Sequence, residues 1–231
     1  MTMTITILFN LVWIIVAYLV GSVNFAILLT SLSKTKVNIR QVGSKNAGAT
    51  NVMRVYGWRF GLVVFLCDAS KAFWFAVALG LLQQQVAGFE MIIPQLATAF
   101  VIVGHVFPLL YDFKGGKGAA CLLGMIASIS LLLATIGTVL FLLVLFTTRY
   151  VSLGSIVVPY GLVLFSLGAP YLNGWVDSVV HYGPYWVSTI MLLLAALFVS
   201  ATHWSNICRL VNGTENRLQF DFITRQKQKY S

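Results

Sequence analysis

Six apolar runs dominate the chain, at roughly residues 5–30, 58–82, 91–111, 118–147, 154–173 and 184–202. Each approaches or exceeds the ~20 residues that a helix needs to cross hydrocarbon. Lipid offers backbone N–H and C=O groups no partner, so a crossing segment must pair them internally, and helix is the default. Only 9% of the 231 residues are charged and 59% are hydrophobic. A soluble domain carries about 25% charged residues, so this chain has too little charge to cover a water-facing surface. The even spread of the runs predicts one all-α, polytopic membrane helix bundle over residues 1–231, without repeats or a domain linker. The first run, Ile5 to Leu29, is too long for a signal-peptide core and has no basic residues before it, so it reads as a retained span. Cys67, Cys121 and Cys208 form no C-x-x-C pair, which leaves neither a zinc nor a redox motif.

Charge fixes direction. Fifteen Lys and Arg face six Asp and Glu, a net charge of +9. In a soluble chain this would suggest nucleic acid; here the basic residues mark particular loops. Lys34, Lys36, Arg40, Lys45, Arg54 and Arg59 lie between the first two runs, and Lys114 and Lys117 precede the fourth. Arg149 follows the fourth run, and Arg209, Arg217, Arg225, Lys227 and Lys229 follow the last. The connections 83–90 and 174–183 hold only Glu90, Asp177 and His181. Basic loops belong in the cytoplasm. They all reach it only if the fourth run turns back on itself, as two short helices at about 118–132 and 134–148 with Gly137 nearby. The expectation is therefore about seven transmembrane helices, N-terminus out and C-terminus in. The cytoplasmic parts are then loops 31–57, 112–118 and 148–155 and the tail 203–231. Each short half would span about 22 Å at 1.5 Å per residue, less than the ~30 Å core. Such helices must be shielded by protein, thin the bilayer or re-enter. Asp68 and Lys71, three apart inside the second run, share one helical face.

Four of the basic segments carry chemistry. The run Gly43-Ser44-Lys45-Asn46-Ala47-Gly48-Ala49-Thr50-Asn51 is small or polar throughout and is flanked by Arg40 and Arg54. Small residues let backbone approach a ligand, while hydroxyls, amides and cations suit a phosphate. Phe113-Lys114-Gly115-Gly116-Lys117-Gly118 opens directly into the fourth run. Glycine-rich backbone at a helix start presents N–H groups and a positive dipole end to an anion. It is not a nucleotide-binding Walker loop, because residue 111 is Tyr and Lys117 is followed by Gly118. Arg149-Tyr150-Val151-Ser152-Leu153-Gly154-Ser155 supplies one charge and two hydroxyls. In the fourth segment, His203, Asn206 and Arg209 can share one helical face, followed by the turn Asn212-Gly213 and then Glu215. A histidine exchanges protons near neutral pH. His105, among apolar neighbours in Val-Gly-His-Val-Phe-Pro, reads as a structural histidine.

Together and in this order, these segments resemble the bacterial acyl-phosphate-dependent glycerol-3-phosphate acyltransferase family (PlsY), over about Gly21 to Glu215. The resemblance implies a seven-span bundle in the bacterial cytoplasmic membrane with its site on the cytoplasmic face. It implies transfer of a fatty acyl group from acyl phosphate to the 1-hydroxyl of sn-glycerol 3-phosphate. The products would be lysophosphatidate and phosphate, as phospholipid synthesis begins, and neither metal nor cofactor would take part. Carried over to this chain, it makes His203, Asn206, Ser44, Arg40 and Ser155 the catalytic set. Gly43, Asn46, Thr50, Asn51, Arg54, Lys114, Gly115, Gly116, Lys117 and Gly118 would bind substrate, and Glu215 would hold the last loop together. The proton acceptor is either His203 or substrate phosphate. The partners implied are the two substrates and membrane lipid, with no nucleic acid; oligomeric state is left open. The sequence departs from the family at Lys45, where glycine is usual, and at Asn38, Asn24, Ala26, Trp204 and Cys208.

Other acyl-transfer schemes fit less well. There is no G-x-S-x-G elbow for a covalent serine. No histidine is followed by an aspartate at the His-x4-Asp spacing, and carboxylates are too few for a metal-dependent lipid phosphotransferase. The reading from another class is an organic-phosphate transporter, which would need polar residues along a path between helices.

Overall fold

The computed structural model describes residues 3–33, 37–90, 92–168 and 185–218. Lys34, Lys36, Asp177, His181, Arg225, Lys227 and Lys229 lie outside the described residues, and so do the expectations placed on them. The described residues form ten α-helices and one short 3-10 turn, without strands. In chain order the helices are α1 (Met3–Ser22), α2 (Phe25–Ser31), α3 (Ala49–Tyr56), α4 (Trp58–Gln85) and α5 (Pro94–Val106). After the turn Leu109–Tyr111 come α6 (Ala119–Ile129), α7 (Leu131–Thr148), α8 (Val151–Leu167), α9 (Tyr185–Thr202) and α10 (Trp204–Val211).

Among the described residues, Met3–Ser31, Trp58–Gln85, Pro94–Tyr111 and Leu131–Thr148 are long and apolar enough to cross a membrane. Trp186–Thr202 and Trp204–Val211 qualify together but are bent by 65°. Leu8, Ile15, Trp74, Leu143, Phe146 and Leu164 are each more than half exposed. Such an apolar surface is compatible with lipid and not with water.

The first run is not one helix, as its continuous hydropathy suggested. It breaks between Ser22 and Phe25, where the Asn24 side chain accepts from Ile27 N at 3.0 Å and so caps α2. The carbonyls freed at the break are taken by Lys71 Nζ, which donates to Gly21 O at 3.0 Å and Val23 O at 2.7 Å. The fourth run does fold as two helices, but the break falls at Ser130. That residue is extended, with φ −158°, and its hydroxyl accepts from Leu133 N at 3.3 Å. A serine can cap a helix with its own side chain, whereas glycine cannot, and Gly137 instead lies inside α7. With 11 residues, α6 is about 16 Å long, too short to span hydrocarbon alone. Cys121, Leu122, Gly124, Met125, Ile126, Ser128 and Ile129 are buried, and α4, α5, α7 and α9 pack around the helix. Protein, not lipid, therefore shields it.

Helices α1 and α5 cross closely. A Cβ on Gly21 would lie 2.2 Å from Val101 O, and one on Gly104 would lie 2.1 Å from Tyr18 O. Reciprocal small residues are how membrane helices gain contact without a hydrophobic driving force. The core gathers Val101 and Ile102 of α5, Leu122 and Met125 of α6, Leu162 of α8 and Leu192 and Val199 of α9. A smaller core of Ala26, Ile39, Ala47, Val52 and Val64 supports the first basic loop.

Candidate active site

The four segments singled out in the sequence meet at one end of the bundle. Arg40 Nη1 donates to Tyr111 O at 2.9 Å, joining the first segment to the second. Lys117 Nζ donates to Asn206 Oδ1, joining the second to the fourth. Ser152 Oγ donates to Glu215 Oε1 at 2.8 Å and Leu218 N to Arg149 O at 2.7 Å, joining the third to the fourth.

A cavity of about 720 Å³ lies between them. Its mouth is lined by Ser44, Asn46, Thr50, Asn51, Arg54, Lys117, Gly118, Ser155, His203, Asn206 and Glu215. From there it runs between α4, α6, α7 and α8 along apolar side chains that include Leu122, Ile126, Phe141, Leu145, Pro159 and Leu162. Both α3, which starts after Gly48, and α6, which starts after Gly118, begin at the mouth without a side-chain cap. Their first-turn N–H groups are the orphan donors and positive dipole ends that favour an anion.

Five of the expected site residues do not line this cavity: Arg40, Gly43, Lys114, Gly115 and Gly116. Arg40 points to the turn at Tyr111 and lies 3.6 Å from the exposed Asp112. The Gly115 and Gly116 N–H groups, expected to cradle a phosphate, donate instead to Val106 O at 3.0 Å and His105 O at 3.1 Å. Neither glycine has room for a side chain: a Cβ would lie 2.1 Å from His105 O at Gly115 and 2.2 Å from His105 Nε2 at Gly116. Lys114 is exposed. Gly43 holds φ +61° beside Asn51, which is fully buried. Asn51 Oδ1 accepts from Ser44 N at 2.7 Å, while its Nδ2 donates to Ile39 O at 3.0 Å and Val42 O at 2.9 Å. Asn51 shapes the loop and has no side-chain donor left over. Lys45 sits at φ +57°, in the left-handed region where glycine is unstrained. That conformation accounts for the glycine usual at this position.

The mouth is held by one carboxylate. Glu215 accepts from Ser152 Oγ at 2.8 Å, Asn206 Nδ2 at 2.6 Å and Arg209 Nε at 2.7 Å. Burial pushes its carboxyl up, but these bonds outweigh burial and hold it below the usual range. Asn206 thus bridges Lys117 and Glu215, and both ends of its amide are engaged. Sequence reasoning left Ser152 and Arg209 out of the site; Arg209, three residues after Asn206 on one face, carried the available signal. Burial, with Arg209 and Arg54 nearby, lowers the Lys117 ammonium to about 8 against the pull of Glu215. Burial also lowers Arg54, which makes no hydrogen bond or ion pair among the described residues. At the bend between α9 and α10, His203 Nδ1 lies 2.8 Å from Val199 O. A carbonyl only accepts, so Nδ1 carries the proton and Nε2 keeps its lone pair. Burial first, then Lys117, lowers this imidazole to about 4, so it is neutral at pH 7.

Below the mouth, Asp68 and His105 reach the cavity wall. Asp68, His105 and Cys121 place ligand-type atoms within 4.8 Å of one another. Yet Lys71 Nζ lies 3.0 Å from Asp68 Oδ1 and 3.1 Å from His105 Nδ1, so an ammonium already takes the cation's place.

A cationic mouth continuous with an apolar channel inside a membrane helix bundle defines a protein that handles anionic lipid precursors. The chain belongs to the glycerol-3-phosphate acyltransferase family, whose model matches residues 11–213. It is 44% identical over 223 residues to the glycerol-3-phosphate acyltransferase of Mycoplasma mobile, covering 91% of this chain and 93% of the relative. It is 38% identical over 225 residues to that of Chlorobaculum tepidum, covering 90% and 95%. The fold is similar to the crystal structure of PlsY, an integral membrane glycerol 3-phosphate acyltransferase, in its glycerol 3-phosphate form. That likeness has a TM-score of 0.73 and 30% identity, and covers 91% of this chain and 96% of the other. PlsY in its lysophosphatidic acid form gives a TM-score of 0.72 at 29% identity.

Proposed function

We propose that this chain is a membrane glycerol-3-phosphate acyltransferase that takes its acyl group from an acyl phosphate. The observation that carries the reading is a single cavity joining the Arg54, Lys117 and Arg209 mouth to an apolar arm. One substrate then brings two parts, a phosphate for the mouth and a hydrocarbon chain for the arm, and the other brings a second phosphate.

An acyl phosphate is already activated, so the enzyme contributes position and charge stabilisation. The 1-hydroxyl oxygen of glycerol 3-phosphate attacks the acyl carbonyl carbon. The new C–O ester bond forms, the bond from that carbon to the phosphate oxygen breaks, and phosphate leaves. The first-turn amides of α3 and α6 with Arg54 and Lys117 take up the phosphate charge. Ser44, Asn46, Thr50 and Ser155 offer hydrogen bonds to the glycerol unit. Gly118 starts the α6 anion site, while Asn206 and Glu215 hold Lys117 in place. His203 Nε2 accepts the hydrogen bond of the attacking hydroxyl and orients it. An imidazole near 4 is a poor proton sink; a phosphate group with a pKa near ~6 is a better one, so the proton leaves on phosphate. Arg40, Gly43, Asn51, Lys114, Gly115 and Gly116 build the loops around the site.

The helix ends support seven passes, one each for α1 with α2, α4, α5, α6, α7, α8 and α9, alternating between the site end and the far end. With the basic loops inside, the N-terminus is out and the site faces the cytoplasm. The organisms of the relatives support a bacterial cytoplasmic membrane. An organic-phosphate transporter is not supported: Arg54, Lys117 and Arg209 cluster at one end, and the deep Lys71 is locked to protein. The test is purified protein in detergent with palmitoyl phosphate and labelled glycerol 3-phosphate. Phosphate and lysophosphatidate in equal amounts are expected. Product from palmitoyl-CoA alone would remove the donor assignment, and no product from either would remove the enzyme reading.

A further inference from the structure

Gly137 and Leu162 are the deepest residues of α7 and α8 that line the apolar arm, and Gly154 and Phe141 line it closer to the mouth. Leu145, near the mouth, and Gly137, at depth, both lie on α7, eight residues and about 12 Å apart. An extended alkyl chain advances roughly 1.3 Å per carbon, given carbon–carbon bonds of about 1.5 Å, so about nine carbons lie along this stretch. At the far end, a Cβ on Gly137 would stand 2.7 Å from Leu162 Cδ1. Midway, a Cβ on Gly154 of α8 would stand 2.8 Å from Phe141 Cδ2. In both places the crowded atom belongs to a side chain that lines the cavity, so added bulk displaces it or occupies the arm. Thr138 also lines this end, but its hydroxyl donates to Ala134 O at 2.7 Å and calls for no polar guest.

We propose that Gly137 with Leu162, and Gly154 with Phe141, are specificity-determining pairs that set how long an acyl chain the enzyme accepts. The first pair limits length; the second sets the width that any longer chain must pass. The proposal rests on the acyl-phosphate reading above. About four residues and 6 Å of α7 separate Phe141 from Gly137, so the two pairs act at lengths differing by roughly five carbons.

The test is kcat/KM for saturated acyl phosphates of even length from 8 to 18 carbons, in wild type and four variants. Gly137→Leu should cut off the longest chains, and Gly154→Ala should cut off chains about five carbons shorter than those. Each methylene that can no longer be buried costs about fourfold, so two lost methylenes lower kcat/KM roughly fifteenfold. Leu162→Ala, which only removes bulk, should extend the profile towards longer chains. The control is Gly161→Leu on the same helix, where a Cβ meets nothing within 4 Å and the residue does not line the cavity; its profile should match wild type. Parallel profiles in every active variant would overturn the ruler, as would a shift in Gly161→Leu equal to that in Gly137→Leu. If Gly137→Leu is inactive at all lengths, an unextended Leu162→Ala profile overturns it. A wild type inactive on every acyl phosphate removes the enzyme reading, and the ruler with it.

Discussion

The chain holds two charged clusters inside one bundle, and they are built on opposite plans. In the deep one, Lys71 donates to Gly21 O, Val23 O and Asp68 Oδ1, so all three of its protons are committed. Asp68 and Lys71 balance each other in surroundings that are almost fully buried. In the mouth, Arg54, Lys117 and Arg209 face one carboxylate among the described residues, Glu215, and Arg54 has no bonded partner among them. The deep cluster is closed: it seals the break between α1 and α2. The mouth is left in positive excess, the charge balance that the proposed phosphate substrates would complete. Among buried charges, saturation of donors separates scaffold from site better than depth does.

Changes to the closed cluster should be felt as lost stability. Lys71→Met leaves the buried Asp68 without its ammonium and two backbone carbonyls without a donor. Removing one partner of a buried pair costs about 3–5 kcal/mol, so thermal unfolding in detergent should fall sharply; an unchanged midpoint would erase the contrast. Changes to the open cluster should be felt as lost activity. Lys117→Ala should lower kcat/KM about 100- to 1,000-fold, the scale of a lost transition-state donor, while the unfolding midpoint barely moves. The same contrast predicts the pH profile of wild type. As pH rises through about 8, Lys117 loses its proton and hold on the anion weakens, so KM should climb there. As pH falls from 7 to 5, His203 stays neutral, and its loss as an acceptor belongs near 4. An acid limb from His203 near 6.5 would contradict this. The smallest effect is at Lys45→Gly, which relieves a left-handed strain of about 1–2 kcal/mol but adds unfolded-state freedom worth about 0.4–1 kcal/mol. A net gain within about 1 kcal/mol, with activity retained, is expected from denaturation and the acyl-transfer assay together.

Class, the split of residues 118–147 and the meeting of four segments were legible because each rests on composition or spacing. The exact break was not. Gly137 drew attention, but Ser130 caps α7 through its own hydroxyl, and Gly137 serves packing against Leu162. The break at Asn24 was hidden because hydropathy runs straight through it, while its cause, Lys71, lies far along the chain. At the site, residue types pointed to segments that the fold brings together, and could not show where backbone donors go. The Gly115 and Gly116 amides look available in a glycine-rich string, yet α5 carbonyls take both. Arg40 and Arg54 flank the same loop, and only the fold decides which turns inward.

Glu215, the counterion that steadies Lys117 through Asn206, comes late in the order of synthesis. A nascent chain that has already made all ten helices carries its cations but lacks the carboxylate that aims them. Competence therefore arrives in one step, when the stretch after α10 folds back onto Ser152 and Arg149. Translation halted before that point should leave a membrane protein without acyl-transfer activity, the outcome a truncation ahead of Glu215 would read in the same assay.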